Sequence, residues 1–293
     1  MNGSQEALKQ TCAIAGLDPD GARLLRLGSN AVYRLKAPIV VRVSRPGTDV
    51  HHARRTVAVA RWLESAGYPA VRLAEVDADQ PIVKDGYIVT FWQAISDDGD
   101  QYASTAEIAE VLAKLHHLAA PGDLHLPPLA PFANAAHRID ANTWLSPDDR
   151  SFLTQTLAQL QTAYANLEFV LPPGFIHGDA SVGNVLRDIH GSPVLIDLDG
   201  FAIGPREWDL ALTAIYYDSF GWHTGEEYED FARVYGFDIM QWPGYPVMRS
   251  VREFLMITWV IQKAPESEEA AAEARKRISA LRTGASRKDW QPY

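Results

Sequence analysis

The sequence predicts an α+β fold of two lobes, a small mixed-sheet lobe at the N-terminus and a larger, mainly helical lobe at the C-terminus. Short apolar runs bounded by Gly, Pro and Asn, which are typical of strands, dominate the chain as far as about residue 93. Helical periodicity dominates from residue 104 onward, and neither an internal repeat nor a flexible linker separates the halves. We therefore predict one lobe over residues 1–93 and another over residues 94–293, with a ligand site between them.

The elements of the first lobe follow from turn residues between apolar runs. Gly, Asn and Pro interrupt the apolar pattern where the chain reads "GSN" and "KAP", and "KDG" is a hairpin signal. These breaks predict a helix over 5–17, three strands within 22–45, a helix over 50–66, and strands over 70–76 and 81–95.

The second lobe is predicted mainly from helical periodicity and capping signals. Ser104 with Glu107 three residues later forms a capping-box pattern that begins a helix reaching about residue 119. A small hairpin follows the loop at 177–184. Further helices are predicted near 147–167, 206–217, 225–235, 246–262 and 266–282, with a loose tail over 285–293.

Composition and charge restrict the classes of function. The 27 basic and 37 acidic side chains give a net charge of −10, which argues against a nucleic-acid-binding surface and weakly fits a cationic small substrate. Cys12 is the single cysteine, so an intrachain disulfide and a Cys-rich zinc site are excluded. The N-terminus lacks a secretory signal, and the apolar run "FLMITWVI" is too short to span a bilayer. We expect a cytoplasmic monomer or homodimer without a membrane segment.

Polar residues cluster where a strand gives way to a loop, in "FIHGDASVGNVLRD" at 175–188. Asp179 lies five residues before Asn184, and the apolar run "PVLI" leads to Asp197 thirteen residues later. Phosphoryl transfer needs Mg²⁺, which prefers carboxylate and amide oxygens, and a further carboxylate that accepts the proton of the attacking hydroxyl. One Asp as base and an Asn–Asp pair as metal ligands meet these needs, and their spacing is that of a kinase catalytic loop.

These motifs resemble those of the aminoglycoside phosphotransferase and choline kinase family, whose fold is a small-molecule version of the protein kinase fold. "HGDASVGN" resembles the family's catalytic loop, and "VLIDLDGFAIGPREWDLA" resembles its metal-binding segment. The resemblance implies that Asp179 is the catalytic base and that His177 braces the loop. It also implies that Asn184 and Asp197 hold Mg²⁺ and that Asp209 ties the loop through backbone hydrogen bonds.

The resemblance covers most of residues 20–215 and implies a nucleotide site in the first lobe. "LGSNAVYRL" resembles the hairpin that covers the phosphates, where Ser29 and Asn30 would donate to phosphate oxygens. "IVVRVSR" resembles the strand whose cation, here Arg42, contacts the α- and β-phosphates. "TFWQAI" at 90–95 resembles the linker whose backbone pairs with adenine. The linker residues assigned to nucleotide binding are Thr90, Phe91 and Trp92.

One departure from the family pattern concerns the acid that normally pairs with this cation. Aligning "ARRTVAVARWL" with the helix after the strand places Thr56 where the family has a Glu, and no acid occurs between His51 and Arg61. Arg42 needs less support than a Lys, because its charge is permanent and its guanidinium is planar. Alternatively, another acid arrives from elsewhere in the chain. Both interpretations stay open at this stage.

The sequence therefore predicts a Mg²⁺-dependent phosphotransferase that moves the γ-phosphoryl group of ATP or GTP to a hydroxyl of a small polar molecule. An aminoglycoside-like antibiotic, with a role in antibiotic resistance, or a related amine or sugar is the predicted acceptor. The alternatives are a metabolic kinase of a sugar, amino alcohol or nucleoside-like compound, and a nucleotide-binding protein with weak or no catalysis. The candidate acceptor contacts are Asp199, Asp218 and Trp222.

Overall fold

The structure is a computed structural model that describes residues 2–28, 30–96, 101–119, 121–122 and 124–292. The chain divides into two compact units. The first comprises Met1–Pro127 and Ser181–Ala202, and the second comprises Pro128–Ala180 and Ile203–Tyr293. The sequence predicted a boundary between residues 93 and 94 that divides the chain by function, into a nucleotide-binding lobe and a catalytic lobe. This functional boundary stays a prediction.

The first unit is built on a five-stranded sheet with the order β1-β2-β3-β5-β4. Its strands are β1 (Arg23–Leu27), β2 (Asn30–Arg34), β3 (Ile39–Ser44), β4 (Ile82–Lys84) and β5 (Tyr87–Gln93). Its helices are α1 (Asn2–Ile14), α2 (Val50–Ser65) and α3 (Thr105–His116). Each neighbouring pair of strands runs antiparallel. A sheet accompanied by helices agrees with the predicted α+β fold class.

The sheet separates an apolar face from a polar one because side chains alternate along each strand. Val41, Val43 and Phe91 are fully buried in the core beside α1. Arg42 and Thr90 are cross-strand partners in β3 and β5, so they lie on the opposite face. The strand alternation therefore brings the predicted phosphate-binding cation to the face away from α1.

The segment 70–76 was predicted as a strand, and this prediction is wrong. Ala70 makes an isolated bridge to Leu195, and Leu73 makes another to Trp92. A strand needs a continuous ladder, but this segment bonds to two different strands within a few residues. The apolar pattern reflects its burial and not a place in the sheet.

The second unit is mainly helical and is organised around helix α8. Its helices are α4 (Ala135–Asp140), α5 (Pro147–Ala165), α6 (Glu207–Asp218), α7 (Gly225–Tyr235), α8 (Tyr245–Ile261) and α9 (Glu268–Thr283). Helix α8 packs against α4, α5, α6 and α9. Two short strands, β6 (Gly174–Ile176) and β9 (Ala202–Gly204), pair with each other. Over the described ranges, no helix is long and apolar enough to cross a membrane.

The C-terminal segment was predicted as a loose tail, and this prediction is wrong, because Trp290 packs into the second unit. Trp290 is 0% exposed, and its ring stacks on Phe220 at a centroid distance of 5.4 Å. The guanidinium of Arg277 lies 4.8 Å from the Trp290 ring centre. One aromatic side chain can bury enough apolar area to hold a segment whose other residues are mostly polar. The polar composition of the segment does not reveal this.

Candidate functional site

The two predicted metal ligands lie at the same end of a hairpin in the first unit. Strands β7 (Val185–Arg187) and β8 (Pro193–Leu195) pair antiparallel, and the N–H of Ile196 donates to the carbonyl of Asn184 at 2.9 Å. Asp197 follows directly with φ 57° and ψ 62°, in the left-handed region. Non-glycine residues in this region concentrate at functional sites because they are held there against a conformational cost. The hairpin thus ends in an amide and a carboxylate.

Arg42 meets two carboxylates of the first unit. Its Nη2 atom lies 3.5 Å from Oδ1 of Asp197 and 2.5 Å from Oδ2 of Asp199. Thr56 on α2 donates its hydroxyl to the other oxygen of Asp199 at 3.0 Å. The acid that pairs with Arg42 therefore comes from the turn after β8 and not from helix α2.

Arg42 and Asp199 border a small cavity of about 50 Å³. Its lining includes residues from β2, β3, β5 and α2 together with Asp199: Asn30, Arg42, Ser44, Thr48, His52, Ala53, Thr56, Ile88, Thr90, Trp92 and Asp199. Asn30 is the register partner of Ser44, so β2 and β3 bring Asn30 and Arg42 to one face. Ser29, the other predicted phosphate contact of the hairpin, lies outside the described residues.

Residues 90–93 form the end of strand β5 and not a free linker. The N–H of Phe91 donates to the side-chain carbonyl of Gln80 at 2.7 Å, and its carbonyl accepts from Ala74 at 2.9 Å. The hydroxyl of Thr90 accepts from the indole N–H of Trp92 at 2.8 Å. The backbone of Phe91 is thus engaged within the fold, and adenine pairing through it is not supported. Thr90 and Trp92 line the cavity with their side chains.

The loop that carries the predicted base belongs to the second unit and is held by Asp209. The backbone N–H groups of His177 and Gly178 donate to the two carboxylate oxygens of Asp209 at 2.7 and 2.8 Å. Gly178 has φ 87°, a conformation that favours glycine. His177 is fully buried, and its Nδ1 accepts from the N–H of Asp179 at 3.3 Å. Its position supports the loop and does not expose the imidazole to a substrate.

Sequence reasoning missed Arg252, which lies beside Asp179. Its Nη2 atom is 3.6 Å from a carboxylate oxygen of Asp179, and its Nη1 donates to the carbonyl of Gly178 at 3.4 Å. The guanidinium stacks over the ring of Trp208 at 4.4 Å. Burial lowers the pKa of Arg252, whereas the neighbouring Asp179 carboxylate raises this pKa. An arginine inside the apolar pattern of α8 was the available signal.

The two predicted acceptor contacts of the second unit already have partners. Asp218 forms an ion pair with Arg249 at 2.6 Å and accepts from the Tyr245 hydroxyl at 3.3 Å. Burial raises the pKa of Tyr245, so this hydroxyl stays protonated and donates. Trp222 packs against Tyr216 with ring centres 4.8 Å apart. The charge of Asp218 is balanced, while Trp222 belongs to an aromatic cluster.

The donor atoms at the hairpin end fit a magnesium ion. Asn184 and Asp197 offer the amide and carboxylate oxygens that Mg²⁺ prefers. Among the residues the structure describes, no group of three or more His, Cys, Asp or Glu side chains is arranged to hold a metal. Mg²⁺ at nucleotide sites is usually bound by one or two carboxylates, with phosphates and waters completing its shell. Asn184 and Asp197 would therefore be sufficient as the protein ligands of such an ion.

The sheet unit, the helical unit and the hairpin with its flanking polar residues define a protein-kinase-like fold, and solved structures confirm this fold class. An amicoumacin kinase solved with AMP-PNP and Ca²⁺ superposes with a TM-score of 0.75 over 98% of this chain and 95% of that one, at 12% identity. A microcompartment-associated aminopropanol kinase gives a TM-score of 0.73 over 97% and 99% of the two chains, at 17% identity.

Sequence comparison identifies the family. The sequence model of the phosphotransferase enzyme family (APH) matches residues 22–254, so the chain belongs to this family of enzymes and the predicted resemblance is confirmed. A probable ketoamine kinase from Lactiplantibacillus plantarum is 29% identical over 190 residues. That match covers 59% of this chain and about 65% of the length of the relative.

Proposed function

We propose that this chain transfers the γ-phosphoryl group of ATP or GTP to a hydroxyl group of a small polar molecule. The acceptor oxygen bonds to the γ-phosphorus as the bond to the β–γ bridging oxygen breaks, and a nucleoside diphosphate leaves. The observation that carries the proposal is the meeting of Arg42 with Asp197 and Asp199 beside a small cavity. A cation and two carboxylates at one point suit a metal-bound triphosphate.

In this proposal the first unit binds the nucleotide. Arg42 contacts the α- and β-phosphates with its guanidinium, whose fork of N–H donors matches phosphate oxygens. Asn30 and Thr90 lie on the same sheet face and would orient the nucleotide from β2 and β5. Asn184 and Asp197 would hold Mg²⁺, which when bound neutralises charge on the phosphates. Asp197 suits this role because its side chain is 42% exposed.

In this proposal the second unit supplies the base. Asp179 accepts the proton of the attacking hydroxyl, and its 64% exposed side chain is open to an acceptor. Asp209 holds the backbone on which Asp179 sits, through the N–H groups of the two preceding residues. Arg252 contacts Asp179 from the buried side, at 3.6 Å, and would help to hold its carboxylate in place.

The acceptor we favour is a sugar- or amine-derived metabolite and not a polycationic antibiotic. Arg249 balances the charge of Asp218, and Arg252 lies beside Asp179, so these acids offer little excess negative charge to a polycation. The ketoamine kinase relative supports the same class of acceptor. An aminoglycoside-like acceptor is the second candidate, because a spectinomycin phosphotransferase shares this fold.

Turnover of Asp179→Asn against a panel of acceptors tests the proposal. Nucleoside diphosphate release is measured with ketoamines, amino alcohols and aminoglycosides, using ATP and GTP in turn. General-base catalysis contributes about 10²- to 10⁴-fold, so kcat should fall by that order while nucleotide affinity changes little. Asp148→Asn is the matched control, because Asp148 is an exposed carboxylate of the second unit paired with Arg282. Wild-type kcat in Asp179→Asn would refute the assigned base, and no turnover by the wild type would refute the proposed reaction.

A further inference from the structure

Arg42 lacks the acid on helix α2 that the family pattern provides, and the structure offers a replacement. We infer that Asp199 orients Arg42 for the nucleotide, and that Thr56 fixes Asp199 from α2. The inference rests on the proposed function, because Arg42 is taken there as the phosphate-binding cation. It assigns Asp199 as a positioning residue, where the sequence predicted an acceptor contact.

The two oxygens of the Asp199 carboxylate have different partners, and this locks its orientation. Oδ2 accepts from Nη2 of Arg42 at 2.5 Å, and Oδ1 accepts from the hydroxyl of Thr56 at 3.0 Å. Thr56 is buried, and helix α2 packs against the short 3₁₀ turn Leu198–Gly200 that carries Asp199. Strand β3, helix α2 and this turn are therefore joined through one carboxylate.

The residue at position 56 is matched to this arrangement. A hydroxyl donates to Asp199, whereas a Glu would place a second carboxylate against it, and two carboxylates at one point repel each other. In this chain the residue on α2 is a hydroxyl donor, and the acid that pairs with Arg42 comes from the 198–200 turn. Replacing Thr56 by Glu or removing Asp199 should each be unfavourable alone, so the two substitutions should compensate for each other.

The two acids of the "DLD" segment, Asp197 and Asp199, have different surroundings, which suit them to different roles. Asp199 is engaged by both Arg42 and Thr56. Asp197 lies further from Arg42, at 3.5 Å, and its side chain is more exposed than that of Asp199, 42% against 31%. Asp197 is therefore the carboxylate placed to meet a metal, and Asp199 is the one placed to hold the cation.

A rescue experiment tests the inference. Asp199→Ala should raise the KM for nucleotide by about 10- to 100-fold, the range that loss of a charge-assisted hydrogen bond produces. Thr56→Glu alone should also impair nucleotide binding through repulsion. The double variant should recover most of the loss, because Glu at position 56 can then pair with Arg42. Ala58→Glu combined with Asp199→Ala is the matched control, since Ala58 is exposed on the same helix and should give no rescue.

Two results would overturn the assignment. A double variant that binds nucleotide no better than Asp199→Ala would show that Asp199 does not replace an acid on α2. A rise in the KM of the acceptor with an unchanged KM for nucleotide would return Asp199 to the role of an acceptor contact.

A measurement without catalysis separates this inference from the proposed function. Unfolding of Thr56→Val, Asp199→Ala and their double variant forms a cycle in the nucleotide-free protein, and the two destabilisations should be less than additive. Additive effects would show that Thr56 does not fix Asp199, even if turnover is observed. If the wild type binds no nucleotide, the proposed function fails, and the unfolding cycle still decides whether Thr56 and Asp199 stabilise each other.

Discussion

Asp209 offers the most direct test of how the fold holds the predicted base. Its side chain is 1% exposed and accepts hydrogen bonds from the backbone N–H groups of His177 and Gly178. Asp209→Asn keeps the size of the side chain and removes its charge. The Asn carbonyl can accept one of the two N–H groups, but its NH₂ group would face the other donor. One backbone N–H and part of the amide would then be buried without a partner.

The expected cost follows from these two contacts. A hydrogen bond to a charged group contributes about 1.5–3 kcal/mol, and an orphaned buried donor costs about 1–3 kcal/mol. The carbonyl retains one contact in weaker form, so we expect a net loss of about 2–4 kcal/mol in the stability of this loop. Since each 1.36 kcal/mol is a factor of ten, this corresponds to about a 30- to 1,000-fold increase in local opening.

Amide hydrogen exchange at residues 177 and 178 measures this opening directly. The exchange rates of both amides should rise by that factor, and kcat should fall because Asp179 follows the loosened segment. Asp188→Asn is the control: one oxygen of Asp188, Oδ1, accepts the backbone N–H groups of both His190 and Ser192, in an exposed turn. We expect a change of less than about tenfold there, because the Asn carbonyl can keep both contacts and water can reach the turn.

The reasoning would be refuted by either of two outcomes. Wild-type exchange at both amides in Asp209→Asn would mean that other contacts hold the loop. Equal effects of the Asp209 and Asp188 substitutions would mean that two buried contacts to separate carboxylate oxygens are not what holds the loop. A fall in kcat without faster exchange would instead assign Asp209 an electrostatic effect on Asp179.

Two further predictions concern groups outside the site. Burial raises the pKa of the Cys12 thiol from 9.0 to about 11. Iodoacetamide at pH 9 should therefore modify it only after unfolding, and the free energy of unfolding should fall between pH 9 and 11, where only the unfolded chain releases the proton. Rapid modification of the folded protein would contradict this. Trp290→Ala should destabilise the protein by about 3–5 kcal/mol in urea unfolding. The half-buried Trp259→Ala should cost clearly less, and equal losses would show that the C-terminal segment is not anchored.

The sequence predicted the parts of the fold that local patterns control. Alternation in the segments around Arg42 and Thr90 placed these residues in strands, and the structure pairs them across β3 and β5. The capping box at Ser104 and Glu107 begins helix α3 with both of its hydrogen bonds. Each of these signals acts within a few residues, so neighbouring residues in the sequence are enough to reveal it.

Contacts between distant residues were not predictable in the same way. Arg42 and Asp199 are 157 positions apart, and nothing in the local sequence of either indicates the other. Arg252 stands in an apolar helix, where an isolated arginine indicates burial without naming a partner. The segment 90–95, predicted as a linker, lies in strand β5 as far as Gln93, and the contact between the Phe91 N–H and Gln80 is again one that local sequence does not indicate.

The use of Arg in place of Lys at position 42 is consistent with an acid that comes from the 198–200 turn. Both contacts to the carboxylates of Asp197 and Asp199 are made by one nitrogen, Nη2. A guanidinium has five N–H donors directed from three nitrogens, whereas an ammonium group is a single point of charge. Arg42 can therefore keep its bond to Asp199 through Nη2 and present other donors to a phosphate. A lysine would have to divide one ammonium group between the carboxylate and the nucleotide. An arginine at position 42 therefore suits an acid that comes from the 198–200 turn.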